Sequence, residues 1–247
     1  MEKQQAPFLR YRYPQRFVRL FIGLVLYGLS SALNYRSMLG LSPWNVFHAG
    51  ISLMSGVSIG RITQLTGAAI ILIDIAMREP IGVGTIANMF IIGGSMDMFL
   101  NSALLPQTES LPVRWFMLMA SIVVCGLGSY LYMSAAMGAG PRDSMMVGLV
   151  KRFPKVPIGV LRNAIELTAL GIGWLMGGLV GVGTVASALL LGPSIQYSFK
   201  LFHFDVKAVH SENFAETAAI WAGKKTPEEP QPPAQEGAEN MAREDAK

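Results

Sequence analysis

The chain is poor in charge and almost without cysteine. Only 15% of its 247 residues are charged, where a soluble domain carries about 25%. That shortfall excludes an ordinary water-facing surface. The single cysteine, Cys125, excludes an intrachain disulfide and lies in an apolar run, where it reads as a small core hydrophobe. No group of His, Cys and Glu has metal-ligand spacing, and G-x-S-x-G is absent, so no metal, no cofactor and no enzymatic activity is expected. The basic, proline-containing opening has no small-residue cleavage site, so no cleavable signal peptide is expected.

What is present is apolar: 51% hydrophobic residues and a mean hydropathy of +0.40. Residues 1–225 hold 18 basic and 10 acidic side chains, net +8, and residues 226–247 hold 2 and 6, net −4. The basic residues flank apolar runs, which marks a topology signal for a lipid bilayer and no nucleic-acid footprint. The tail, 226–247, is rich in Pro, Glu, Gln and Ala and is expected to be disordered.

The chain also repeats itself. Pro43 aligns with Pro141, Asn45 with Asp143 and Gly50 with Gly148. One residue further on, Ile59-Gly60 aligns with Ile158-Gly159, Gly82-Val83-Gly84-Thr85 with Gly181-Val182-Gly183-Thr184, and Gly93 with Gly192. The expected fold is an all-α polytopic membrane protein with about six spans. These lie near 17–38, 57–77, 83–104, 114–137, 157–178 and 182–201. Short helices over 43–54 and 141–153 reach only about 18 Å, less than the roughly 30 Å hydrocarbon core. Each repeat is then one span, one short helix and two spans. An odd number of crossings inverts the second copy relative to the first. The organisation expected is a basic cytoplasmic N-terminus (1–16), a first repeat (17–104), an external loop (105–113), a second repeat (114–201), an amphipathic surface helix (202–225) and the tail. Placing both termini in the cytoplasm collects Arg78, Arg142, Lys151, Arg152 and Lys200 inside and leaves the loop from Pro106 to Pro112 outside with no Lys or Arg. An eight-span arrangement gives the same sidedness but needs longer apolar segments.

The motif pairs suggest where a solute would go. SPWN (Ser42–Asn45) and GPRD (Gly140–Asp143) each open a short helix, with Pro43 and Pro141 at the first position and Trp44 as an interfacial anchor. They read either as plain helix starts or as re-entrant half-helices whose N-termini meet near the midplane and suit an anion or polar solute. In the second reading Asn45, Arg142 and Asp143 are site residues. The GVGT pair (Gly82, Gly84, Thr85; Gly181, Gly183, Thr184) reads as a tight turn with a threonine cap, because no strand and no full dinucleotide fingerprint accompany it. Asn88 aligns with Ser187 and Asp97 with Gln196, matched polar residues within spans. Arg162 and Glu166, four apart, form an ion pair on a helix face that is structural or coupling. Asp97 is expected to pair with Arg61, and Asp74 with Arg78 or the inner interface. His48 is read as structural.

GLSPWN at Gly40–Asn45, GAGPRDS at Gly138–Ser144 and the GVGT turns together resemble the bacterial YczE/YyaS/YitT group of integral membrane proteins, in particular its YczE-like branch. The resemblance covers about 17–201. It implies a bacterial cytoplasmic (inner) membrane protein of unassigned activity, and in its pattern Asp often stands where this chain has Asn45. The function expected is a transporter or channel for a small solute or ion, with a membrane scaffold or regulator acting through protein partners as the alternative. A homo-oligomer stays open.

Overall fold

Inside hydrocarbon an apolar chain satisfies its backbone hydrogen bonds through helices, and most of the described residues are helical. A computed structural model describes residues 6–204 and 212–222. Among the described residues are nine α-helices and no strand: α1 (Ala6–Ser37), α2 (Pro43–Ser55), α3 (Ile59–Ala76), α4 (Val83–Asn101), α5 (Leu111–Ser134), α6 (Pro141–Arg152), α7 (Ile158–Leu175), α8 (Val182–Leu201) and α9 (Phe214–Trp221). Five are long and apolar enough to cross a membrane: α1 from Pro14, then α3, α4, α5 and α7. With 20 residues α8 is as long, but Ser187, Ser194, Gln196, Ser198 and Lys200 dilute its hydropathy and it is not among the five. Large apolar side chains point outward, among them Phe116 at 72% and Leu175 at 85% exposure. Such surface is unsuited to water and suited to lipid.

The first helix starts earlier than its apolar run. The stretch expected as a separate basic N-terminus, from Ala6 on, is continuous with α1 through Pro14. The centre of the molecule is the crossing of α1 and α5. Gly23 and Gly128 lie at this crossing, where a Cβ on Gly23 would stand 2.9 Å from the Gly128 carbonyl oxygen. Small residues thus let two spans approach closely. On one side of the crossing Leu20, Leu24, Ile92, Tyr132 and Met137 form a core that α9 joins through Ile220. On the other, Leu41, Val46, Ala49, Ile59 and Met96 form a second core. α2 packs on α7, and α6 packs on α3.

Part of the expected 202–225 surface helix, residues 205–211 and 223–225, lies outside the described residues, as does the 226–247 tail. What is described is docked. Arg16 Nη1 donates to Glu212 at 2.6 Å, the Glu212 N–H donates to the Ala136 carbonyl at 3.0 Å, and the Phe214 N–H donates to the Ile81 carbonyl at 3.0 Å.

Candidate functional site

The two GVGT turns do the same mechanical work. Gly82 N–H donates to Thr85 Oγ1 at 3.2 Å, and Gly181 N–H to Thr184 Oγ1 at 3.1 Å, so each threonine caps its own helix start. Each turn also grips the turn that precedes a short helix in the other half of the chain. Gly183 N–H donates to the Leu39 carbonyl at 2.7 Å and Gly84 N–H to the Met137 carbonyl at 2.6 Å. At these junctions Gly40 (φ 117°) and Gly138 (φ 122°) adopt a left-handed backbone that glycine tolerates. A side chain there would strike Gly181 or Gly82. The helix starts that follow are alike: Ser42 has φ −61° and ψ 154°, and Gly140 has φ −61° and ψ 152°.

These junctions deliver both short-helix starts to one cavity of about 120 Å³, room for several water molecules. Ser42 and Asn45 reach it from α2, and Gly140, Pro141, Arg142 and Asp143 from α6. Hydroxyls and amides line part of it, from Tyr27, Ser30, Ser31 and Asn34 of α1, Thr63 of α3, Asn88 of α4, Ser121 and Tyr132 of α5, and Ser187 of α8. Gly67, Ile70, Met89, Ile92, Cys125 and Leu191 complete a lining that is apolar over the larger share of its surface. Asn34 ties the wall together. Its Oδ1 accepts from Ser42 N–H at 3.0 Å and Asn45 Nδ2 at 3.3 Å, and its Nδ2 reaches Ser187 Oγ at 3.5 Å. Tyr132 Oη donates to Asp143 Oδ2 at 2.8 Å.

Arg142 makes no direct ion pair among the described residues. The ion pairs among the described residues are Arg16–Glu212, Lys151–Glu79 and Arg162–Glu166. Instead the guanidinium lies over the Trp44 ring, 4.3 Å from its centroid, with Nη2 at 3.5 Å from His48 Nε2. His48 is fully buried, and its Nδ1 lies 3.1 Å from Thr63 Oγ1, whose proton goes to the Ile59 carbonyl at 2.9 Å. That network puts the imidazole proton on Nδ1 and leaves Nε2 to accept from Arg142.

Arg142, Asp143, Tyr27 and Trp44 also line a second cavity of about 110 Å³ with Arg162 and Glu166. These last two pair at 3.2 Å along α7. Of the residues named from the sequence, Asn45, Asn88, Arg142 and Asp143 therefore converge on the central cavity, and Arg162 and Glu166 on its neighbour. Asp97 lines neither. It joins α4 to the start of α3, accepting from Gly60 N–H at 2.8 Å and Ser58 Oγ at 2.5 Å. The expected Arg61–Asp97 pair does not form, because the Ser58–Gly60 helix start supplies nearer donors. The expected Asp74–Arg78 pair is absent as well. Both Asp74 carboxylate oxygens are buried without a hydrogen bond, and Arg78 sits past the end of α3 with φ 60°. Asn34, Tyr132 and His48 were not singled out as site residues, although a polar residue within an apolar span is the signal that finds Asn34.

A helical, multi-pass membrane protein with a polar chamber at the meeting of two short helices is the class that this fold and site define. Residues 14–200 match the family of unknown function DUF6198, and the chain belongs to that family. It is similar to an uncharacterized protein of Haemophilus influenzae, 32% identical over 178 residues, 72% of this chain and 80% of that one. It is similar also to the uncharacterized membrane protein YczE of Bacillus subtilis, 32% identical over 186 residues, 74% and 85% of the two chains. The uncharacterized protein YyaS of the same organism is 25% identical over 177 residues, 69% and 86% of the two chains. No solved structure matches.

Proposed function

We propose that this protein moves a small solute or ion across the bacterial inner membrane. Two inverted halves, α1–α4 and α5–α8, rock around the central cavity, with α2 and α6 as re-entrant helices and both termini in the cytoplasm. The reciprocal grip of the GVGT turns supports the two-fold relation, since a residue pair and its counterpart exchange roles as such an axis requires.

One observation carries the reading. Gly60 and Gly93 meet backbone to backbone where α3 crosses α4, while their counterparts Gly159 on α7 and Gly192 on α8 have no heavy atom within 4 Å of a Cβ position. α3 packs along α4, and α7 and α8 form no comparable pair. In the first half the crossing is secured by Asp97 and by Gln64 Nε2, which donates to the Phe90 carbonyl at 3.0 Å. In the second half the corresponding Gln196 and Asn163 are exposed. Pro193 also leaves the Leu189 carbonyl, Phe90's counterpart, with no N–H four residues on. Two like halves thus hold unlike gates. With the N-terminus inside, the closed gate is the outer one and the open gate the inner one.

Thiol labelling tests the pathway. In a Cys125→Ser background, single cysteines replacing Asn45 or Asp143 are expected to react with a small polar reagent from the cytoplasmic side, and from outside in the opposite state. Unreactive cysteines at both positions in folded protein would make the motifs packed helix starts and defeat the reading.

A further inference from the structure

We infer that the central cavity binds a small monovalent anion between the start of α2 and the Arg142 guanidinium. The inference rests on the transport reading of this cavity and names the class of solute.

Both short helices begin without a side-chain cap: the Ser42 hydroxyl accepts from no first-turn N–H, and Gly140 has no side chain. Each start therefore presents free N–H groups and about half a positive charge. The two starts differ at three positions, Ser42 against Gly140, Trp44 against Arg142 and Asn45 against Asp143, and the last decides which carries a carboxylate. α6 carries Asp143 in its first turn and so neutralises its own end. α2 has no acidic residue there, because Asn45 stands at the corresponding place. What remains without an acidic residue of its own is the α2 start, and facing it is the Arg142 guanidinium, which is held over Trp44 and makes no direct ion pair among the described residues, although Asp143 and Glu166 act on it at longer range.

A second feature points to a ligand independently. Ser31 is only 8% exposed and lines the cavity, yet its hydroxyl has no hydrogen-bond partner among the described residues. A buried hydroxyl is ordinarily satisfied, and a bound anion would take its proton. The cavity volume of about 120 Å³ limits the ligand to a few heavy atoms. Halide, nitrate and formate fit that size and charge. A cation would face the guanidinium and the free N–H groups. Asp143, the one carboxylate lining the cavity, already accepts from Tyr132.

Trp44 is a built-in reporter because it lies under the guanidinium. The full-length protein, with Trp115, Trp174 and Trp221 changed to Phe, is placed in zwitterionic-lipid nanodiscs. It is titrated with chloride, nitrate and formate at constant ionic strength, and separately with sodium against N-methylglucamine. The expected result is a saturable change in Trp44 emission with the anions, matched by a rise in thermal midpoint. Asn45→Asp, nearly isosteric, should weaken the apparent affinity at least tenfold. Ser31→Ala should weaken it a few-fold, and Arg142→Lys should retain part of it.

The inference is overturned if folded protein shows neither response to any of the three anions. It is overturned equally if only the cations act, or if Asn45→Asp leaves anion affinity unchanged. Gate movement is read by a different experiment, so a failed titration with moving gates refutes the anion and leaves the transport reading standing.

Discussion

Gly60 on α3 and Gly93 on α4 touch through their backbones, and no side chain fits between them. The contact depends on glycine at both positions: a Cβ on Gly60 would run into the Gly93 carbonyl, and one on Gly93 into the Gly60 carbonyl. The counterpart glycines, 159 and 192, bear no such constraint in this conformation. A glycine facing open space gains nothing from its missing side chain here. It is explained if α7 later closes on α8 as α3 has closed on α4.

That asymmetry gives two substitutions of opposite sign. Gly60→Ala overpacks the α3–α4 crossing, the outer gate in the proposed transporter, at a cost of about 1–3 kcal/mol, which corresponds to about a five- to 150-fold shift between two states. The shift favours the state in which α3 and α4 part. Gly159→Ala costs nothing in the conformation described, but it obstructs closure of α7 on α8 and shifts the population the other way. Labelling of a cysteine at position 45 from the outer side, in the Cys125→Ser background, measures both. It should rise in Gly60→Ala and fall in Gly159→Ala. Equal effects of the two changes would show that the glycines act on folding and not on gating.

Asp74 supplies a test of the packing. Its carboxylate is buried with neither oxygen hydrogen-bonded, and an unsatisfied buried polar group costs about 1–3 kcal/mol, more when charged. Asp74→Asn keeps the shape and removes the charge. The thermal midpoint should rise, by about 2–4 °C for each kcal/mol recovered. A large fall would mean that the carboxylate has a partner essential to the fold.

The short helices and several of the residues that line the cavity were legible in the chain. Pro43 and Pro141 mark first helical positions, and each short helix is too short to span. In-span polar residues such as Asn88 face the cavity because lipid would leave them unsatisfied. The misses share a cause. Pairing Asp74 with Arg78 assumes an unbroken helix, but α3 ends at Ala76 and Arg78 takes a left-handed backbone, so the i,i+4 register is lost. Pairing Asp97 with Arg61 weighs charge alone, whereas the free N–H groups of a helix start compete for a carboxylate at closer range. His48 gains its role from Thr63 and Arg142, which two other helices bring to it. No local spacing encodes that meeting.

The most direct measurement is a pair of distances. Spin labels at the exposed positions 65 and 90 report the α3–α4 crossing, and labels at the exposed positions 164 and 189 report α7 and α8, in Cys125→Ser protein reconstituted in lipid. Unmodified protein should give a short 65–90 distance and a longer 164–189 distance. In Gly60→Ala the two should exchange, with 164–189 reaching the value that 65–90 held before. If 65–90 lengthens while 164–189 never shortens, the halves do not alternate, and rocking around the central cavity is contradicted.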